Sequence, residues 1–290
     1  MRLIELTNAY ILTYINKLFF ARCGNEKIFK AIALTGFLST KFGWNTYVII
    51  FEKYKLFLEG KTIKAICKLI NKNSFVIDVG ANFGVYTQAF IDGVGINGKV
   101  FAIEPEPKNL HTLKNRFSQQ LKSGQLEVFE GIAASTPGDY CLSIHSCNPG
   151  GHVVSQSGMS VKGITIDQIV QQVGLKPSLI KIDVEGYEES VILGATKTIS
   201  THHPILYFEY HPKYLESCGT NAAQLLQYLV NQNYRYFLYG EKECFYEHSI
   251  EQVLENTSLK QKTVIDILAF PEAMIGQSTP VQGLVFGKVN

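Results

Sequence analysis

Four acids each close a short apolar run: Asp78 in FVIDVG, Glu104 in KVFAIEP, Asp183 in SLIKIDVEG and Glu209 in PILYFEYHP. Such runs read as buried strands, and ligands of open α/β sheets sit beyond the carboxyl ends of the strands. Carboxylates gathered on that rim can hold hydroxyl or cationic groups, or take a proton from a reacting group. Asp183 is the first candidate for a catalytic group, and Glu185 and Glu188 follow it into a helix whose dipole acids also favour. Two histidines belong to the same discussion. His152 lies in NPGGHVV, a glycine-rich loop suited to a substrate gate. His211 follows Glu209 by two residues, a spacing that turns both side chains to one side of a strand. Asp183, Glu209 and His211 thus offer oxygen and nitrogen donors for a divalent ion, although a capping role explains His211 equally well.

The loop Asp78-Val79-Gly80-Ala81-Asn82-Phe83-Gly84 narrows the cofactor. A nucleotide triphosphate loop needs Lys followed by Ser or Thr after the second glycine, and Val85 and Tyr86 stand there instead. A nicotinamide fingerprint needs GxGxxG, so that a pyrophosphate can approach the backbone; here Asn82 occupies a position that would have to be glycine. Asn tolerates left-handed backbone, so the tight turn survives while the pyrophosphate seat does not. S-adenosylmethionine has no phosphate and asks for a tight turn plus acids for its charged and hydroxyl groups. Asp78 supplies one, and Glu104, twenty residues after Gly84, stands where doubly wound folds place an acid on ribose hydroxyls. The expected cofactor set is Asp78, Gly80, Asn82, Gly84, Tyr86, Thr87, Glu104, Ala133 and Asp183.

The elements that must position these residues alternate after residue 73. Strands are expected at FVIDVG, KVFAIEP, LEVFEGIAA, SLIKIDVEG, PILYFEYHP, YRYFLYG and TVIDILAF, with helices at VYTQAFIDGVG, PKNLHTLKNRFSQQL, YEESVILGATKTI and AAQLLQYLVNQ. DYCLSIHS and SVKGITI add a strand excursion around the turn-rich NPGGHVVSQSG. The expected fold is α/β, doubly wound, with a mainly parallel seven-stranded sheet spanning residues 73–290. Residues 1–72 read as a mostly helical extension, with a strand expected in WNTYVIIFEKYKLFL.

Composition bounds the function classes. The 290 residues are 46% hydrophobic and 18% charged, with a net charge of +2. That balance, without a basic stripe, argues against nucleic acid as a partner. The six cysteines are dispersed without a CxxC pair, which suggests reduced thiols and a cytoplasmic setting. MRLIELTNAYILTYINKLFF is interrupted by Glu5, Asn8, Asn16 and Lys17, so neither a spanning helix nor a signal peptide is expected. This segment reads as a packed helix, with a lid or a homodimer contact as the alternative.

DVGANFGVYT, IEPEP and above all LIKIDVEGYEESVILGA resemble the FkbM-type methyltransferases, over about residues 74–212. The resemblance implies a Rossmann-like sheet, S-adenosylmethionine as cofactor, and methyl transfer to a hydroxyl of a sugar or other natural product. The alternatives are a cofactor-binding interaction protein without turnover and a nicotinamide-dependent oxidoreductase.

Overall fold

In a computed structural model of the chain, the structure describes residues 35–143, 153–155, 157–240, 243–259, 264–275 and 286–287. His152 and the N-terminal segment expected to pack, cap or dimerise lie outside the described residues. The chain divides into two compact units, 1–53 with 145–151 and 54–144 with 152–290. The sheet belongs to the second.

The seven expected strands all form: β1 (Phe75–Val79), β2 (Lys99–Glu104), β3 (Leu126–Ala133), β7 (Pro177–Ile182), β8 (Ile205–Tyr210), β9 (Tyr234–Tyr239) and β11 (Ile265–Pro271). They run contiguously in the order β3-β2-β1-β7-β8-β11-β9, with β11 antiparallel to both neighbours. The reversal of strand order beside β1 marks the crevice where such sheets bind ligands. The sheet is nevertheless larger than seven. Among the described residues it has twelve strands, because β4 (Gly138–Ser143), β5 (Val153–Ser155) and β6 (Met159–Ile164) extend one edge while β10 (Phe245–His248) and β12 (Phe286–Gly287) extend the other. These edge strands are short, so they owe their pairing to a neighbour's backbone more than to an apolar pattern of their own.

Three local expectations are corrected, the first at PKNLHTLKNRFSQQL, which forms two helices, α3 (Pro107–Arg116) and α4 (Ser118–Ser123), in place of one. WNTYVIIFEKYKLFL is helical, part of α1 (Lys41–Cys67). Its β-branched and aromatic content favours strand locally, but further along the helix Ile63, Ala65 and Ile66 bury against the sheet's helical layer, and tertiary packing overrides propensity. YEESVILGATKTI forms two helices, α6 (Glu188–Leu193) and α7 (Thr196–His202). Between them Gly194 passes so close to β3's end that a Cβ would lie 2.1 Å from the Ala134 carbonyl oxygen.

Alternation along the strands separates two apolar layers. Phe75, Ile77 and Val79 of β1 join Ile180 and Ile182 of β7 on one face. Val76 and Leu179 face the other way, toward α1 and α2 (Val85–Val94). Asp78 and Lys181 fall on this second face by the period of two. No helix among the described residues is long and apolar enough to cross a membrane.

Candidate active site

The parallel register sets Asp78 of β1 beside Lys181 of β7, and Lys181 beside Tyr207 of β8. A polar row thus crosses the centre of an otherwise apolar sheet face. Lys181 is 3% exposed and Asp78 0%, so both charges must be matched internally. Lys181 Nζ lies 3.4 Å from Asp78 Oδ1 and 3.4 Å from Asp183 Oδ2, and donates to the Gly80 carbonyl at 2.9 Å. Thr87, on the first turn of α2, donates to Asp78 Oδ2 at 2.6 Å. One lysine therefore ties the glycine loop, the first strand and the Asp183 turn together.

Two residues beyond this row, where the strands end, a cavity of about 190 Å³ opens. Lys181 lines it from β7, Asp183 from the turn just after, Tyr207 and Glu209 from β8, and Tyr86 from α2. Lys55 and Glu59 come from α1, one helical turn apart and 3.6 Å from each other. Asp266 completes the wall. It stands directly opposite Glu209 in the β8–β11 pairing, because the antiparallel course of β11 brings its first residues to the rim where β8 ends. Tyr86 Oη donates to Glu59 at 3.0 Å and lies 3.4 Å from the Tyr207 hydroxyl.

The loop takes the tight shape its sequence allows. Gly80, Asn82 and Gly84 all have positive φ, at 75°, 52° and 83°. A Cβ on Gly80 would lie 1.9 Å from the Asp183 carbonyl oxygen, so this glycine permits the loop and the Asp183 turn to touch. Gly80→Ala is accordingly expected to destabilise the fold by about 3 kcal/mol, combining overpacking with left-handed strain. Chemical denaturation measures it, and a change below about 1 kcal/mol would contradict the contact. Glu104 is buried and accepts from the Asn82 and Glu106 backbone N–H groups at 2.8 and 3.0 Å and from Asn109 Nδ2 at 3.2 Å. A carboxylate has about four acceptor positions, so one remains for a ribose hydroxyl. The loop and Glu104 together therefore fit S-adenosylmethionine in the chemistry of their donors and acceptors.

The turn after β7 is strained. Glu185, which is not a glycine, has φ 54° and precedes Gly186 at 101°. Glu188 secures it by accepting from the Val184 and Gly186 N–H groups at 3.3 and 3.2 Å. A side chain kept in a left-handed position costs about 1 kcal/mol, and such strain gathers at functional sites. Glu185→Gly should raise thermal stability while lowering turnover; loss of both stability and turnover would make Glu185 a structural residue.

Charge in this region is unbalanced. Burial would raise the Asp183 carboxyl, but Lys181 and Lys55 hold it down at about 2. Burial, then the Asp183 charge, lifts Glu185 to about 7, and burial lifts Glu188 and Glu104 to about 7 against their backbone donors. Burial followed by Asp183 and Glu185 takes Glu209 to about 9, and burial with Glu59 takes Asp266 to about 7. A raised carboxyl holds its proton in the folded state over a pH range where the unfolded chain has lost it. Stability from these groups is therefore full below the unfolded value near 4 and falls as pH climbs through 7 toward 9. Asp183 has the opposite sign and contributes only above its unfolded value. The ligand-free chain should be most stable near pH 4–5 and lose melting temperature steadily toward pH 9, as a calorimetric pH series would show.

Other expected residues sit elsewhere. Ala133 is buried in the apolar layer on the opposite face and does not join the polar row. The metal set is not assembled: among the described residues no group of three or more His, Cys, Asp and Glu side chains could hold a metal ion. His211 caps α8 (Pro212–Ser217), its Nδ1 accepting from the Tyr214 N–H, and its ring stacks on Tyr214 at 3.9 Å. Sequence reasoning missed Lys55, Glu59, Lys181, Tyr207 and Asp266. For two of them a signal was present, since Lys181 and Asp266 are lone charges inside apolar strands.

The model of the methyltransferase FkbM domain matches residues 78–236. The hexuronic acid methyltransferase AglP of Haloferax volcanii is 30% identical over 146 residues, which are 49% of this chain and 59% of that protein. The chain thus spans less than two thirds of that relative's length. Among solved structures, a methyltransferase FkbM from Methylobacillus flagellatus aligns at 21% identity and a TM-score of 0.45, covering 69% of this chain and 44% of that one. Aeropyrum pernix fibrillarin with natively bound S-adenosyl-L-methionine aligns at 6% identity and 0.39, covering 69% and 66%.

Proposed function

Because the chain belongs to the methyltransferase FkbM domain family, we propose that it transfers a methyl group from S-adenosylmethionine to a hydroxyl of a sugar-like acceptor. The observation that carries this reading is the polar cavity at the strand ends, walled by Lys181, Asp183, Glu209 and Asp266 and adjoining the left-handed loop. Similarity to a hexuronic acid methyltransferase supports a sugar as the acceptor class.

The cofactor, when bound, supplies a methyl group already activated on a sulfonium. The chain's own task is to hold, align and dehydrate. Gly80, Asn82 and Gly84 would cradle the cofactor, and Glu104 would accept from its ribose. Asp183, kept ionised by two lysines, gives a fixed negative charge suited to a cationic cofactor. Tyr86, Tyr207 and Glu59 present hydroxyl and carboxylate groups that can orient a polyol.

Calorimetry with S-adenosylmethionine and its demethylated product should give binding, and tritiated methyl should appear on a member of a sugar panel. No binding at high micromolar cofactor would overturn the reading. Binding without any labelled product would favour an interaction protein that keeps the cofactor without turnover.

A further inference from the structure

We infer that Glu209 and Asp266 act as one proton-sharing pair, and that Asp266 is the catalytic base which takes the proton of the acceptor hydroxyl. The inference deepens the proposed methyl transfer and rests on it.

Geometry carries it. The two residues stand directly opposite each other in the β8–β11 register, both half-buried and both lining the cavity. Like charges directly opposite on paired strands repel, and a shared proton relieves them. The nearby cations are engaged with other acids, and Lys55 favours the ionised Asp266 without forming an ion pair with it. Lys55 is paired with Glu59 and Asp183, and Lys181 with Asp78 and Asp183. Among the described residues neither Glu209 nor Asp266 forms an ion pair.

The surroundings decide which member keeps the proton. Glu209 feels the charges of Asp183, Glu185, Asp266 and Glu188. Asp266 feels Glu59 and Asp183, but the Tyr207 hydroxyl and Lys55 favour its ionised form. Glu209 therefore keeps its proton to higher pH than Asp266, and Asp266 is the member that becomes the free base first as pH rises through about 7. Both acids rise above ordinary values chiefly through burial. Asp183 is the poorer base, since its two lysines hold it ionised at low pH. In the step itself the acceptor oxygen gains the methyl carbon, sulfur keeps the electron pair of the broken carbon–sulfur bond, and the hydroxyl proton passes to an Asp266 oxygen.

The test has two arms on the full chain. In the first, carboxyl-labelled Glu and Asp are titrated by carbon-13 NMR in the wild type, Glu209→Gln and Asp266→Asn. Two linked titrations with midpoints above about 6 are expected, each missing from one variant. Both midpoints below about 5 would overturn the pair. In the second, methyl transfer is followed against pH with methyl α-D-glucopyranoside and methyl α-D-glucuronide as acceptors. Asp266→Asn should lower kcat by about 10²-fold or more and remove the rising limb, with cofactor affinity within about twofold. Glu209→Gln, which mimics the protonated acid, should retain the rising limb whatever its effect on kcat. An Asp266→Asn protein within about threefold of wild type, with its limb intact, would overturn the base assignment. A chain that binds cofactor and shows the linked titrations but methylates neither sugar retains the shared proton, and defeats the sugar reading instead.

Discussion

Lys181→Met is expected to cost about 3–5 kcal/mol of stability, the loss typical of breaking one side of a buried ion pair. The methionine fills the same volume, so the loss is electrostatic. Asp78 is fully buried, and after substitution only the Thr87 hydroxyl would answer its charge. The Gly80 carbonyl would lose its 2.9 Å donor at the same time. The glycine loop should then loosen, and affinity for S-adenosylmethionine should fall at least about tenfold. Adding Asp78→Asn removes the stranded charge while keeping an acceptor for Thr87. The double variant should therefore recover most of the stability without recovering the affinity, because the Gly80 donor is still missing. Urea denaturation and calorimetry measure the two quantities separately. A single variant within about 1 kcal/mol of wild type would show that the pair contributes little.

Asp183→Asn has the second large effect, on function more than on folding. The carboxylate is 26% exposed on the cavity wall and lies 3.4 Å from both Lys55 and Lys181. Asparagine preserves its shape but leaves two lysines facing a cationic cofactor with less negative charge between them. Cofactor affinity should drop about tenfold, and turnover about 10²-fold, the scale of losing one preorganised electrostatic group. The substitution also has a signature that a merely structural role would lack. The Asp183 charge is, after burial, the foremost cause of the raised carboxyls at Glu185 and Glu209. Both should therefore titrate lower in Asp183→Asn. Wild-type turnover in a folded variant would remove Asp183 from the working part of the site.

Much of the fold was legible because burial writes itself into sequence. The seven apolar runs became seven contiguous strands, and of the acids closing four of them Asp183 and Glu209 line the cavity at the strand ends. Asn82 was readable as a left-handed residue, and it has φ 52°. The failures have a common cause in pairing and packing between distant segments. The helix carrying Lys55 and Glu59 looked like a strand, since its aromatic and β-branched residues satisfy either pattern until a neighbour is chosen. Ala133 ends a strand, as expected, but alternation turns it to the opposite face. His211 had the spacing of a ligand and is spent on a helix cap.

The sequence by itself determined the alternation of strands and helices, the left-handed turn at Asn82, and the chain's likeness to the FkbM methyltransferases. Tertiary structure alone decided what surrounds the four acids. Strand register set Lys181 between Asp78 and Tyr207, and the antiparallel return of β11 set Asp266 against Glu209. Those neighbours lie far apart along the chain. Whether a carboxylate is pinned ionised, as Asp183 is, or left to share a proton, as at Glu209, depends on the charges within a few ångströms, and only the folded sheet brings them there.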